Sequence, residues 1–169
     1  KPSIALPPER FFVVHLFAGN AGRGLSPEHK RALITALHER LPQTELLISG
    51  GSADRTEAEA AAEGIPSVRV IAGDVSLSDM LRIISKAAGV VSLDTGVAHI
   101  AAQLRAPLIV LASCLGLHWW GKQQYGSGVP TALFTRADLC IAGHAAEDYP
   151  ACLNVIRMDE VASAAYAIS

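Results

Sequence analysis

Short apolar runs alternate with segments of helical periodicity along most of this 169-residue chain. We interpret the runs as strands of a sheet, at residues 11–17, 45–49, 68–71, 89–92, 107–112 and 131–134. Between them, apolar residues recur at spacings of three and four, which is typical of helices. The alternation predicts one α/β domain, a doubly wound parallel sheet with helices on both faces.

The order of the strands decides where such a sheet binds ligands. In a 3-2-1-4-5 order, the sheet reverses between its first and fourth strands, and ligands bind outside the carboxyl ends of the strands at that reversal. Two chemically unusual loops follow these two strands, at residues 18–26 and 93–96. We therefore expect the two loops to face each other across a binding crevice.

The second of these loops lies where a strand passes directly into a helix. Its residues are Asp94, Thr95 and Gly96, and His99 follows one helical turn after Thr95. Free backbone N–H groups at the positive end of a helix bind phosphate well. Thr95 and His99 can face the same ligand because their spacing is four residues. The helix is predicted to bury one face, composed of Val97, Ile100, Ala101 and Leu104.

Two other interpretations of this turn were weighed. Asp94 or Thr95 can simply cap the helix, since both residue types are favoured at that position. An apolar run before Asp-Thr-Gly is also typical of aspartic proteases, in which two aspartates share a proton. We reject the protease interpretation because a helical pattern follows at once, whereas a protease motif requires a β-rich chain around it.

The loop after the first strand is rich in glycine and carries one cation. Its Arg23 can reach an anion held at the start of the later helix, because guanidinium binds phosphate with two parallel hydrogen bonds. Otherwise it is a solvated loop arginine. Gly19 and Asn20 of the same loop are weaker candidates for ligand contacts. So are Gly50 and Gly51, which serve a tight turn or admit a nucleobase or ribose.

Bulk composition excludes several classes of partner. The formal net charge is −2 and only 18% of residues are charged, so bulk charge does not recruit nucleic acid or an anionic membrane. The sequence has no Walker A motif and no strand followed by Gly-x-Gly-x-x-Gly, so the usual NTPase and dinucleotide motifs are missing. An odd number of cysteines, three, suggests a reducing compartment.

Several remaining features carry weaker predictions. Cys140, His144 and Cys152 offer three zinc ligands, but their spacing is irregular and no fourth ligand is evident, so we predict no metal site. Trp119 and Trp120 are expected to cover the sheet edge or an interdomain surface, with stacking on a ligand as the alternative. Residues 1–10 contain three prolines and are predicted to be linker-like, which leaves residues 11–169 as the domain.

Residues 90–102 resemble the donor-site motif of glycosyltransferase family 9, the lipopolysaccharide heptosyltransferases. The glycine-bearing first loop with Arg23, the Gly50-Gly51 turn and residues 71–77 are further matches. Cys140 and residues 149–153 resemble the tail of one branch of the family. Members have two Rossmann-like domains, an arrangement called GT-B, and the resemblance implies that this chain is the second, nucleotide-sugar-binding half. The basic residue here is arginine rather than lysine, and Leu25 replaces the usual tryptophan.

The resemblance also implies a role for each site residue. Arg23 and the backbone of Thr95 and Gly96 would hold the diphosphate of a donor such as ADP-heptose, with His99 supplying a hydrogen bond or partial positive charge. Asp94 would be repelled by phosphate and is assigned to sugar hydroxyls or helix capping. These cationic groups would replace a divalent ion, so neither metal nor cofactor is expected.

The catalytic base and the acceptor site, for lipopolysaccharide or a related glycan, would belong to the missing N-terminal domain. The chain alone is therefore expected to be inactive. It is expected to lie in the cytoplasm or peripherally at the inner face of the bacterial inner membrane. Two alternatives remain open, a nucleotide-sugar 2-epimerase-like domain and a nucleotide-binding module without turnover.

Overall fold

A computed structural model of the chain describes residues 4–19, 24–113, 120, 131–135 and 149–169. Its strands are β1 (Phe11–His15), β2 (Glu45–Ser49), β3 (Val68–Val70), β4 (Gly89–Leu93), β5 (Leu108–Leu111) and β6 (Thr131–Phe134). They form one sheet of order β3-β2-β1-β4-β5-β6, and every neighbouring pair is parallel. This confirms the predicted α/β fold and strand order, with β6 added outside β5.

Helices cover both faces of the sheet. They are α1 (Pro27–Arg40), α2 (Arg55–Ala62), α3 (Leu77–Ile84), α4 (Gly96–Gln103), α5 (Tyr149–Asn154) and α6 (Met158–Ile168), with a short 3-10 helix at Ser52–Asp54. On one face, α1, α2 and α6 pack against a core that contains Phe12 and Leu46. On the other face, α3 and α4 pack against a second core that contains Val13 and Val90. The two cores arise because alternate residues of a strand point to opposite faces.

Serine side chains cap the starts of two helices. Ser26 precedes α1, and its Oγ accepts a hydrogen bond from the backbone N–H of His29 at 3.3 Å. Ser76 precedes α3 in the same way, and its Oγ accepts from the N–H of Asp79 at 3.1 Å while donating to Oδ2 of the same residue at 2.8 Å. Each cap satisfies a helix N–H that would otherwise lack a partner.

The buried face of α4 differs from the predicted one. Ala101 is buried against β4 and β5 as predicted, together with Ala98 and Ala102, whereas the predicted Leu104 is 40% exposed. The other two predicted positions, Val97 and Ile100, are only partly buried at the margin of the core. Small alanine side chains let the helix backbone lie close to the sheet. The larger aliphatic residues then lie at the edge of the contact between the helix and the sheet, rather than within it.

The segment before β1 lies against the domain. Arg69 Nη1 donates a hydrogen bond to the carbonyl of Ala5 at 3.1 Å, and Arg82 Nη2 donates to the carbonyl of Ile4 at 3.0 Å. Ile4 and Leu6 pack against the core beneath α3 and α4. The described part of this proline-containing segment is thus fixed by contacts with β3 and α3.

Candidate functional site

The carboxyl ends of β1 and β4 lie side by side, as the predicted strand order requires. His15, the last residue of β1, is in register with Ser92 of β4. The loop that begins at Leu16 therefore starts beside the turn formed by Asp94, Thr95 and Gly96. This is the reversal point of the sheet, where open α/β sheets bind ligands. Two predicted residues of the first loop, Asn20 and Arg23, lie outside the described residues, and their roles stay predictions; Gly19 is described and exposed.

The start of α4 is not capped by the side chain at its N-cap position. Thr95 occupies that position in extended conformation, with φ −140° and ψ 173°, but its hydroxyl accepts no hydrogen bond from the helix. Instead Thr95 Oγ1 lies 3.3 Å from Oγ of Ser92. The interpretation of Thr95 as a simple side-chain cap is therefore wrong. N–H groups left without a capping side chain can bind an anion.

Space is available over this helix start. Apart from its two chain neighbours and the backbone of α4 itself, a Cβ atom placed on Gly96 would have no described atom within 4 Å. Gly96 is thus not required by packing against those residues, nor by a left-handed backbone conformation. Gly96 itself is exposed.

Three side chains meet beside this turn. Trp120 Nε1 donates a hydrogen bond to Oδ1 of Asp94 at 3.0 Å. The rings of Trp120 and His99 are stacked, with centroids 4.7 Å apart and planes 6° from parallel. His99 Nε2 lies 3.6 Å from Oδ1 of Asp94. Trp120 therefore belongs to the site itself, which the prediction of a tryptophan covering the sheet edge did not anticipate.

His15 is a second polar residue of the crevice that sequence reasoning missed. Its Nδ1 lies 3.0 Å from Oγ of Ser49, at the end of the neighbouring strand β2. Burial lowers the pKa of His15 below its usual value of 6.5, and the negative charge of Asp54 together with backbone hydrogen bonds opposes this shift. The signal in the sequence was a single polar residue within an otherwise apolar strand.

The Gly50-Gly51 turn wraps around the side chain of Asp54. Gly51 N donates to Oδ2 of Asp54 at 2.7 Å. A Cβ atom on Gly50 would lie 2.9 Å from Cβ of Asp54 and 3.1 Å from the ring of Phe17. The glycines thus serve a tight turn, and they hold a half-buried carboxylate at the carboxyl end of β2.

A cavity of about 360 Å³ opens between the loop after β1 and the first turns of α1 and α2. Asp54, Glu57 and Lys30 line it, together with the ring of Phe17. Lys30 Nζ lies 2.7 Å from Oε1 of Glu57 and 4.6 Å from the centroid of the Phe17 ring. Among the described lining residues one cation faces two carboxylates, which are acceptors for hydroxyl donors.

No group of three metal-ligating side chains occurs among the described residues. Cys152, on α5, is buried, and its possible zinc-binding neighbours Cys140 and His144 lie outside the described residues. In the described part of the chain, no helix combines the length and the apolar character that crossing a membrane requires.

A doubly wound parallel sheet with an open helix start at its reversal point is typical of nucleotide-binding α/β proteins. Residues 26–112, just over half of the chain, match the model of glycosyltransferase family 9 (heptosyltransferase). The chain therefore belongs to this family. A search of curated proteins gave no significant match.

Solved heptosyltransferases share the fold. E. coli heptosyltransferase WaaC with ADP is 28% identical, with a TM-score of 0.55, over 60% of this chain and 33% of that one. WaaC with ADP-2-deoxy-2-fluoro heptose is 25% identical, with a TM-score of 0.61, over 76% and 38%. E. coli ADP-heptose lps heptosyltransferase II is 20% identical, with a TM-score of 0.72, over 97% and 48%. The chain thus spans about a third to a half of the length of these relatives.

Proposed function

We propose that this chain is the donor-binding half of a family 9 glycosyltransferase, and that it binds a nucleotide-diphosphate sugar such as ADP-heptose. The observation that carries the proposal is the start of α4 at the reversal point of the sheet, where Thr95 provides no side-chain cap and His99 lies one turn inside the helix. The two WaaC structures, described as complexes with ADP and with a fluorinated ADP-heptose, support this choice of ligand.

The donor diphosphate would lie over the N-terminus of α4. The backbone N–H groups that follow Thr95 and Gly96 would donate to it, and His99 and Arg23 would add a hydrogen bond and a positive charge. Asp94 would meet the sugar rather than the phosphates, because two negative groups in contact repel each other. Its Oδ1 accepts from Trp120, and its Oδ2 bonds to no described residue.

The nucleoside would extend toward the carboxyl end of β2. There the half-buried Asp54 is held by the Gly51 N–H, and it lines the cavity that also contains Glu57. Carboxylate oxygens accept hydrogen bonds from ribose hydroxyls and have no donor of their own. The ribose hydroxyls of the ligand would then lie beside these acids.

Transfer would be a direct displacement with inversion at the anomeric carbon of the sugar. Negative charge develops on the leaving diphosphate, and the α4 N-terminus, Arg23 and His99 would stabilise it. The binding site for the acceptor, a lipopolysaccharide or related glycan, would belong to an N-terminal domain, as would the catalytic base that deprotonates the acceptor. The chain alone is therefore proposed to bind the donor without transferring its sugar.

Replacement of Gly96 by alanine tests the location of the ligand. Apart from its chain neighbours and the backbone of α4, the new methyl group meets no described protein atom within 4 Å, so the midpoint of thermal unfolding should not fall. The same methyl group would stand where the diphosphate approaches the helix, so calorimetric affinity for ADP should fall at least tenfold. Unchanged ADP affinity in a folded Gly96→Ala variant, with wild-type binding present, would exclude this location.

A further inference from the structure

We propose that Trp120 is a positioning residue that holds Asp94 away from the N-terminus of α4 and so keeps that helix start open for an anion. The idea rests on the proposed donor site and adds a residue to it. Its basis is the group of three contacts among Asp94, His99 and Trp120.

Asp94 lies one residue before the N-cap position of α4. From there an aspartate side chain can accept hydrogen bonds from the N–H groups two and three residues further on, here Gly96 and Val97. Aspartate is also among the residues most favoured for capping. Nevertheless its carboxylate accepts no hydrogen bond from a backbone N–H of α4, a helix that the structure describes in full. Oδ1 accepts instead from the indole N–H of Trp120. A carboxylate left without that partner could turn to the helix and occupy the N–H groups that the donor needs.

The indole is itself fixed in place. One contact is the stack on His99, and another is packing against the apolar core beneath α4. A phenylalanine could reproduce the stack and the packing, but it lacks the N–H that binds Asp94. Tryptophan at this position therefore combines two tasks, orienting His99 by stacking and restraining Asp94 by a hydrogen bond to a charged acceptor.

This arrangement predicts a dependence of one substitution on another. Trp120→Phe should weaken ADP binding about fivefold, because the released carboxylate then competes for the helix N–H groups with the ~1 kcal/mol of an ordinary cap. In the Asp94→Ala background no carboxylate remains to compete, so Trp120→Phe should change ADP affinity less than twofold. Because ADP carries no sugar, the contact proposed between Asp94 and the sugar is absent from this measurement, and each effect of Trp120→Phe is compared with its own Asp94 background.

The experiment is a double-mutant cycle on the whole chain, measured by calorimetry with ADP. The wild type, Trp120→Phe, Asp94→Ala and the double variant are compared, and thermal unfolding checks that each is folded. A role of Trp120 in packing alone would weaken binding equally in both backgrounds, and that result would overturn the proposal. Wild-type affinity in Trp120→Phe would overturn it as well.

A second measurement needs no ligand and separates this inference from the proposed function. In Trp120→Phe, a new cap by Asp94 should shift the amide proton resonances of Gly96 and Val97, at the start of α4. The shift should exceed the one that Trp120→Phe causes in the Asp94→Ala background, where only the change in ring current remains. A shift no larger than in that background would overturn the restraint of Asp94. If Trp120→Phe shows these shifts but the wild-type chain fails to bind ADP, the proposed donor site is overturned and the restraint of Asp94 stands.

Discussion

The Nζ atom of Lys30 lies 2.7 Å from Oε1 of Glu57, so one ion pair joins α1 to α2 at the rim of the proposed site. Lys30 is only 6% exposed, whereas the Glu57 side chain is 40% exposed. The two partners are therefore unequal, because the loss of Glu57 leaves a buried ammonium and the loss of Lys30 leaves a carboxylate that water can reach.

We expect Glu57→Ala to lower the free energy of unfolding by about 1–3 kcal/mol, the usual cost of leaving a buried polar group without its partner. Lys30→Met keeps most of the apolar stem over Phe17 and removes the charge, so its cost should be smaller. Urea denaturation of the two variants measures the difference. A larger loss in Lys30→Met than in Glu57→Ala would contradict this view of the pair.

Gly89 should not tolerate a side chain. A Cβ atom there would lie 2.5 Å from Cζ of Phe12, which is fully buried and has no room to move. Gly89→Ala is therefore expected to lower the free energy of unfolding by about 1–3 kcal/mol through overpacking. Gly96→Ala is the matched control, since its methyl group meets no described atom within 4 Å apart from its chain neighbours and the backbone of α4. Equal free energies of unfolding for the two variants would show that the close contact with Phe12 does not destabilise the folded chain.

Stability should fall at acidic pH through His15. Its pKa is lower in the folded chain, mainly by burial, so the unfolded chain binds a proton first as the pH falls. The penalty is absent above the unfolded pKa of about 6.5 and grows, by at most ~1.4 kcal/mol per pH unit, until the folded pKa is reached. His15→Asn should flatten this part of a stability profile between pH 7 and 5. A variant with the wild-type slope would assign the dependence to other groups.

Donor binding should not require a divalent cation. The proposed site supplies positive charge from the α4 N-terminus, Arg23 and His99, and no described group of side chains could hold a metal ion. ADP affinity measured with excess chelator should equal the affinity in millimolar magnesium within a factor of two. A loss of more than about tenfold, or ~1.4 kcal/mol, on chelation would show that the cation takes part.

The strands and the serine caps of α1 and α3 are of a kind that can be predicted, because each depends on local sequence. An apolar run, a serine before a proline and a serine three residues before an aspartate are signals within one element. The open turn at Asp94, Thr95 and Gly96 was located in the same way. The side-by-side position of β1 and β4 followed from the general rule for doubly wound sheets.

The contacts within the site could not be predicted in the same way. Trp120 is 26 residues from Asp94 in the sequence, and nothing in the intervening residues indicates that its indole returns to the start of α4. Of the predicted face of α4, Ala101 is buried, but its buried neighbours are Ala98 and Ala102 rather than the larger aliphatic residues, because small side chains let this helix lie close to the sheet. His15 was counted as part of an apolar run, because its hydrogen-bonding partner, Ser49, lies on another strand and the residues around His15 give no sign of it.

The contacts of Arg69 and Arg82 with the backbone before β1 have a mechanical consequence. Residues 4–10 would span about 24 Å if fully extended, and that length would act as slack between this domain and anything joined to it. Because the carbonyls of Ile4 and Ala5 are hydrogen-bonded to Arg82 of α3 and Arg69 of β3, this length is not available as a flexible linker. A neighbour attached through this segment would pull on the flank of the sheet, and its range of positions would be set by a shorter tether.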